Sequence, residues 1–239
     1  MSFRDAEKIR VFVSKFDGSL KSLIVGSRTE EQAVIEIYGR PTAWNVRKVL
    51  FFMEDAGIPY RRIDCGREFR PTNTPDFLGL NPNGLVPVLR DGSFTLWESH
   101  AILRYLAVKY GPDGYYPVDL QRRARVDQWL DWKLGHVSPA LRVLFLRHFL
   151  RIGEYTDREA TDCEAEANRL FAILDDRLEN TGAYVAGDEI TIADSALGMA
   201  VHRWLNLPLR RPDLPHVIHY YERLKKLPSF EKTVCIGIP

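Results

Sequence analysis

Glu98 and Ser99 stand together where the chain changes from a strand pattern to a helix pattern, and Pro87 lies inside the strand before them. A helix start offers unpaired N–H groups and a positive dipole end, so a Glu-Ser pair there suits a carboxylate ligand. Proline cannot donate to a sheet ladder. Its place between Val86 and Val88 suggests a special peptide, cis among the options, that leaves backbone groups of Val86 unpaired for a ligand. The same residues also fit an ordinary hairpin followed by a capped helix, and taken alone they do not separate the two readings.

Little else in the chain has the spacing that chemistry needs. Cys65, Cys163 and Cys235 lie far apart with no paired spacing, which argues against a disulfide framework or a zinc site and fits a reducing compartment. His136 and His148 resemble neither a metal pair nor a triad, and no metal is expected. With a formal net charge of +1, nothing global draws the chain to nucleic acid or an acidic membrane. No apolar run reaches the ~20 residues of a membrane span. The N-terminus lacks a secretory signal. A cytoplasmic protein without nucleic-acid or membrane partners is expected. The 45% apolar and 27% charged fractions are those of a globular chain.

The elements that must position these residues can be read in order. Residues 1–32 form a leader that fits poorly with the rest of the chain: 11–16, Asp17-Gly18 and 20–25 read as a small hairpin. It could be an added edge element, a vector remnant or an upstream start. Residues 34–38 read as a strand, with Glu36 as an interruption. A helix starts near Asn45 with Val46, Val49, Leu50 and Met53 as a single apolar stripe, and Gly57 ends it. Residues 60–64 form a second strand, completing a βαβ unit. Then come two strands joined at Asp91-Gly92, a strong two-residue hairpin signal, and a helix with Ala101, Ile102, Tyr105 and Leu106 on one face. The glycines and prolines of YGPDGYYP mark a break. Helices come next: a long one over about 120–151, kinked by Pro139; one over 157–180; one opening at Thr191 and Asp194 with capping-box logic; then 216–226 and 229–234. The helix after Thr191 is apolar nearly all round and is expected to be central and buried. The fold class is therefore α/β plus all-α, with an α/β domain over 33–111 and an all-helical domain over 119–239.

Three pieces in this order, NPNGLVPVL, LWESHAILRYL and GDEITIADSAL, resemble the cytosolic glutathione S-transferase family from about Val34 onward. The chain is most similar to bacterial theta-like and related classes. The resemblance implies a thioredoxin-like N-terminal domain followed by the all-helical glutathione transferase C-terminal domain. It implies glutathione as cosubstrate, an electrophilic small molecule as second substrate, a homodimer and a role in detoxification. Glu98 and Ser99 would hold the γ-glutamyl group. Val86, freed by Pro87, would pair with the cysteinyl segment. Arg67, Phe69 and residues 72–74 lie where the family recruits contacts for the glycyl end, whereas Leu85 replaces a Lys or Gln found in many classes.

A free thiol with pKa ~8.5 is mostly protonated at neutral pH, so donors must favour the thiolate. The family position for that donor falls on Ala43, whose side chain donates nothing. Asn45, at the helix start, and secondarily Thr42 are the expected catalytic residues, although Asn45 also fits a plain N-cap. Trp132 and His136 are candidates for the electrophile pocket, and with Trp129 they serve equally as dimer or core residues. Cys65 reads as structural. The activity implied is thiolate attack on an electrophile. Glutathione-dependent disulfide reduction or peroxidation, or a non-catalytic carrier or assembly module, are the alternatives.

Overall fold

A computed structural model describes residues 34–237 and Pro239, and these belong to one compact unit. The leader at residues 1–32 and the hairpin expected there lie outside the described residues. Four strands, β1 (Ile35–Tyr38), β2 (Tyr60–Ile63), β3 (Val88–Asp91) and β4 (Phe94–Trp97), form a mixed sheet in the order β2-β1-β3-β4. β1 runs parallel to β2 and antiparallel to β3, and β3 is antiparallel to β4. The parallel pair needs a crossover, supplied by α1 (Trp44–Asp55). α2 (Pro75–Leu80) and α3 (Ser99–Lys109) complete the thioredoxin-like layer.

Strand alternation explains which residues face which layer. Ile35, Ile37 and Leu89 join the main core with α1 and α3. On the opposite face, Val88, Cys65 and Phe77 form a smaller cluster flanked by Tyr38, Leu80 and Val86. Glu36, which interrupts the apolar strand, faces outward and pairs with Arg61. The hairpin turns one residue later than its sequence suggests: Asp91 pairs with Phe94, so Gly92 and Ser93 form the loop, with Gly92 at φ 59°. Asp91 has a further task. Its carboxylate accepts from Tyr105 Oη and Lys109 Nζ, both at 2.6 Å, and from Tyr110 Oη at 2.7 Å, tying α3 to the hairpin.

The helical part comprises α4 (Leu120–Trp132), α5 (Ser138–Phe145), α6 (Asp157–Thr181), α7 (Ile192–Asn206), α8 (Pro215–Lys225) and α9 (Pro228–Thr233). The long helix expected over 120–151 is interrupted by wide π turns at Lys133–Val137 and Leu146–Leu150. Pro139 has no N–H to continue the regular ladder. Ser138 Oγ instead donates to the Lys133 carbonyl at 2.9 Å. α6 opens with a reciprocal Thr156–Glu159 capping box and closes at Gly182, φ 72°.

α7 is buried from Ile192 to Trp204, as its all-round apolar character predicts. Its capping box is extended into a buried network. Asp194 accepts from Thr191 N at 2.8 Å, Thr191 Oγ1 and Tyr220 Oη at 3.0 Å, and Val185 N at 3.1 Å. The side chain thereby joins the α7 start to α8 and to the loop before it. Removing the carboxylate strands four buried donors. Asp194→Ala is expected to lose about 3 kcal/mol or more in urea unfolding. A loss under about 1 kcal/mol would show that water replaces the carboxylate.

Candidate active site

The N-terminus of α1 opens into a cleft of about 570 Å³ between the sheet layer and the helical part. One side is built from Arg40, Thr42, Ala43, Trp44 and Asn45, from Gly66, Arg67, Glu68 and Thr72, and from Gly84, Leu85 and Val86. The other is supplied by Phe145, Phe149, Leu150 and Arg203. Gly39 allows the close approach that shapes the floor. At φ 153° a Cβ there would meet Val46 Cγ2 at 2.4 Å and Val86 Cβ at 3.3 Å.

The Val86–Pro87 peptide is cis. β3 begins at Val88, so Val86 stays outside the ladder and makes no backbone hydrogen bond among the described residues. The Asn81 side chain shapes this loop, donating to the Leu85 carbonyl at 2.8 Å and accepting from Asn83 N at 3.0 Å. Val88 pairs with Trp97, so the β3 start that follows Val86-Pro87 and the β4 end that leads into Glu98 and Ser99 lie side by side. Glu98 is exposed and holds φ 72°, an unusual conformation for a non-glycine residue. Its carbonyl accepts from Ile102 N at 2.9 Å, while its carboxylate has no hydrogen-bond partner among the described residues. Ser99 is buried as the first residue of α3.

Ala43 is the N-cap of α1 and makes no side-chain cap bond, so Asn45 is the second helical residue rather than the cap. Asn45 is exposed and Thr42 half-buried; both line the cleft, and neither side chain has a hydrogen-bond partner among the described residues. Trp132 and His136 lie outside the lining. Trp132 packs edge-on against Trp129 at 5.0 Å, and His136 is exposed. The helical wall comes instead from the end of α5, the turn after it, and α7. Cys65 is buried, and burial pushes its thiol up to about 11, so it stays protonated and structural.

Behind the cleft lies a buried basic cluster that the sequence reading missed. α1 shows only one apolar stripe in sequence, yet every residue from Val46 to Met53 is buried, because α3, α7 and α9 pack around it. Arg47 consequently reaches main-chain oxygens: it donates to the Val234 carbonyl and, at 3.4 Å, to an oxygen of the last residue, Pro239. Lys48 and Lys133 are also fully enclosed. Lys133 Nζ lies 4.4 Å from the centre of the Trp44 ring, and the Arg203 guanidinium 3.5 Å from it. Burial lowers Lys48 to about 7, and burial with the neighbouring Lys48 charge pushes Lys133 well below its ordinary value. Burial, then the Lys48, Lys133 and Arg104 charges, also holds His100 neutral. The available signal was Arg203 itself, a cation in a helix otherwise apolar nearly all round.

Two family models match the chain: the glutathione S-transferase N-terminal domain over residues 45–109 and the C-terminal domain over 136–228. The glutathione S-transferase GstB of Escherichia coli (strain K12) is 36% identical over 208 residues, covering 86% of this chain and all of that protein. The disulfide-bond oxidoreductase YfcG of the same organism is 32% identical, covering 82% of this chain and 92% of that protein. A theta class glutathione S-transferase from Xanthomonas axonopodis pv. citri, solved with glutathione bound, superposes with a TM-score of 0.78 at 36% identity, covering 84% of this chain and 97% of that one. The thioredoxin-like sheet, the cleft at the start of α1 and the capped central helix define a two-domain glutathione-binding class of protein. The chain belongs to the glutathione S-transferase family.

The buried lysine has a consequence for stability. Unfolded, Lys48 titrates near its ordinary value of 10.5; folded, it titrates near 7. Between these values the unfolded chain binds the extra proton, so Lys48 makes stability rise with pH from about 7 towards 10. Lys48→Met is expected to be more stable than the parent at pH 7 by about 1–4 kcal/mol, with the gap closing by about pH 10. Thermal melts across that range measure it, and a Lys48→Met chain less stable at pH 7 would overturn it.

Proposed function

We propose that this chain is a glutathione-dependent transferase that binds glutathione in the cleft along the start of α1 and Val86, with its γ-glutamyl end reaching Glu98 and Ser99, which lie outside the cleft lining, and that it stabilises the thiolate for attack on an electrophilic small molecule. Glu98 and Ser99 take the γ-glutamyl end: the start of α3 and Ser99 receive its carboxylate, and Glu98 accepts from its amine. Val86 pairs its free N–H and C=O with the cysteinyl segment. Arg40 and Arg67 in the cleft lining suit the glycyl carboxylate. The sulfur then lies towards the α1 N-terminus, whose dipole favours negative charge.

The observation that carries the thiolate assignment is the unpartnered Asn45 side chain on the cleft wall, next to an N-cap that has no donor of its own. Its amide donates to the sulfur, and Thr42 is the secondary donor. The thiolate forms a bond to the electrophilic carbon, and the leaving group departs with the electron pair of the bond it breaks. Holding both reactants in one cleft supplies proximity. Glutathione-dependent disulfide reduction is the second reading, favoured by the likeness to a protein named a disulfide-bond oxidoreductase.

Asn45→Ala is expected to lower kcat with chlorodinitrobenzene at least about tenfold, and Thr42→Ala by less. If both variants keep full turnover, the thiol donors are assigned wrongly. Hydroxyethyl disulfide reduction, assayed alongside, decides between the two chemistries. Glutathione itself is expected to raise the melting temperature at saturation, and no shift would favour a carrier or assembly module.

A cytoplasmic location, a detoxification role and a homodimer complete the proposal. No helix among the described residues is long and apolar enough to cross a membrane. The edge strand β4 exposes Phe94 and Trp97, and Leu120 and Leu134 of the α4 region are exposed as well, which supports self-association. Light scattering is expected to give twice the chain mass of 27.5 kDa, and a monomer at micromolar concentration would contradict this.

A further inference from the structure

Lys48 of α1 and Lys133, in the wide turn after α4, are 0% and 1% exposed. Neither forms an ion pair among the described residues. The Lys48 amino group has no acceptor apart from the neighbouring amine of Lys133. Few other charges surround the two. On the α3 side stand Glu98, exposed at the helix start, His100, and Arg104, which is already paired with Asp127 and Asp131 of α4. On the α7 side stands Arg203, which with Arg47 of α1 donates to an oxygen of Pro239, the last residue. Glu98 is the opposite charge that acts on Lys48, and no opposite charge acts on Lys133. Two neighbouring lysines so enclosed do not both stay charged. Burial leaves the pair short of protons near neutral pH, with Lys48 titrating at about 7.

The pair stands behind two helix starts. His100 follows Ser99 at the start of α3; it is buried, both of its ring nitrogens lack a partner, and the charges of both lysines act on it. Lys133 Nζ lies 4.4 Å from the ring centre of Trp44, the first residue of α1 and part of the cleft lining. These are the helix starts to which the γ-glutamyl carboxylate and the sulfur of glutathione have been assigned. Because protein encloses both lysines, a negative charge arriving at either helix start acts on them with little screening.

Resting on the transferase reading, we propose that Lys48 and Lys133 are a proton-sharing pair of positioning residues: the pair takes up a proton as bound glutathione gives up its thiol proton, so the protein gains a positive charge behind the thiolate it forms. Neither lysine touches the ligand, and Asn45 and Thr42 remain the direct donors to sulfur. The thiol proton passes to solvent and the pair draws one from solvent, so net proton release on binding is small. The burial that makes Lys48 costly at pH 7 also keeps the pair ready to accept this proton.

The test is calorimetry of glutathione binding at pH 8, in buffers of different ionisation enthalpy, which counts protons released. The bound thiolate is titrated alongside by its ultraviolet absorbance. At pH 8 the free pair is mostly uncharged and the free thiol mostly protonated. The full-length protein is compared with the double variant Lys48→Met, Lys133→Met, which removes two enclosed amines, and with Lys48→Arg, whose charge is permanent. The parent is expected to release almost no proton. The double variant is expected to release about half a proton or more per site, with its bound thiol titrating about one pH unit higher. Lys48→Arg should release the proton as the double variant does but keep the thiol titration of the parent. Equal proton release and equal thiol titration in the parent and the double variant would overturn the proposal. So would weaker binding with an unchanged proton count, the mark of a structural role alone. A parent that bound no glutathione would contradict the transferase reading itself, and the proposal with it.

Discussion

The fold depends on one constraint: α1 is enclosed on all sides, between the sheet layer and the helices α3, α7 and α9. This enclosure joins the two layers, because the residues that fill the core beneath the sheet belong to the same cluster as those of the helical part. It also fixes the direction in which the N-terminus of α1 points. Gly39 and the turn through Ala43 bring that end against Val86, so the cleft floor is set by packing made elsewhere. Enclosure has an electrostatic cost as well. Arg47 and Lys48 occupy positions that would be solvated on an ordinary surface helix. Arg47 is accommodated by main-chain oxygens near the chain's end, while Lys48 is held near neutrality by burial.

The cleft divides by charge and by origin. The sheet side supplies backbone groups and helix starts, which on the proposed reading hold the glutathione peptide. The helical side supplies aromatic rings and one buried arginine. Asn45 stands at the meeting of the two. On the proposed reading, its amide donates to the thiolate in place of the hydroxyl that Ala43 lacks. No residue has to ionise, because the nucleophile belongs to the cosubstrate.

Local signals revealed much of this design. The NPNG turn, Pro87 and the Glu98-Ser99 helix start foretold the peptide and the strand end around Val86. Thr191 and Asp194 foretold the α7 cap and its buried helix. What stayed hidden was tertiary. A period-3.6 pattern in α1 shows the apolar stripe but not the helices that cover its other side, where Arg47 and Lys48 are buried. The hairpin turns at Gly92-Ser93, which leaves Asp91 as the last residue of β3 with its carboxylate engaged by Tyr105, Lys109 and Tyr110. Leucine periodicity carried the expected long helix through residues 133–137 and 146–150, where wide turns rotate the residues beyond them. The helical wall of the cleft comes from Phe145, Phe149 and Leu150, beyond the first of these turns, whereas Trp132 lies before it and His136 within it. Arg203 was visible as a lone cation in an apolar helix, but its contacts with Trp44, Phe145 and Pro239 exist only in the folded chain.

A crystal structure with glutathione bound tests the thiolate site most directly. The sulfur is expected within hydrogen-bonding reach, about 3.5 Å or less, of the Asn45 amide nitrogen, with the γ-glutamyl carboxylate at the start of α3. A sulfur turned away from Asn45 and Thr42, or glutathione seated anywhere but beside Val86, would contradict it.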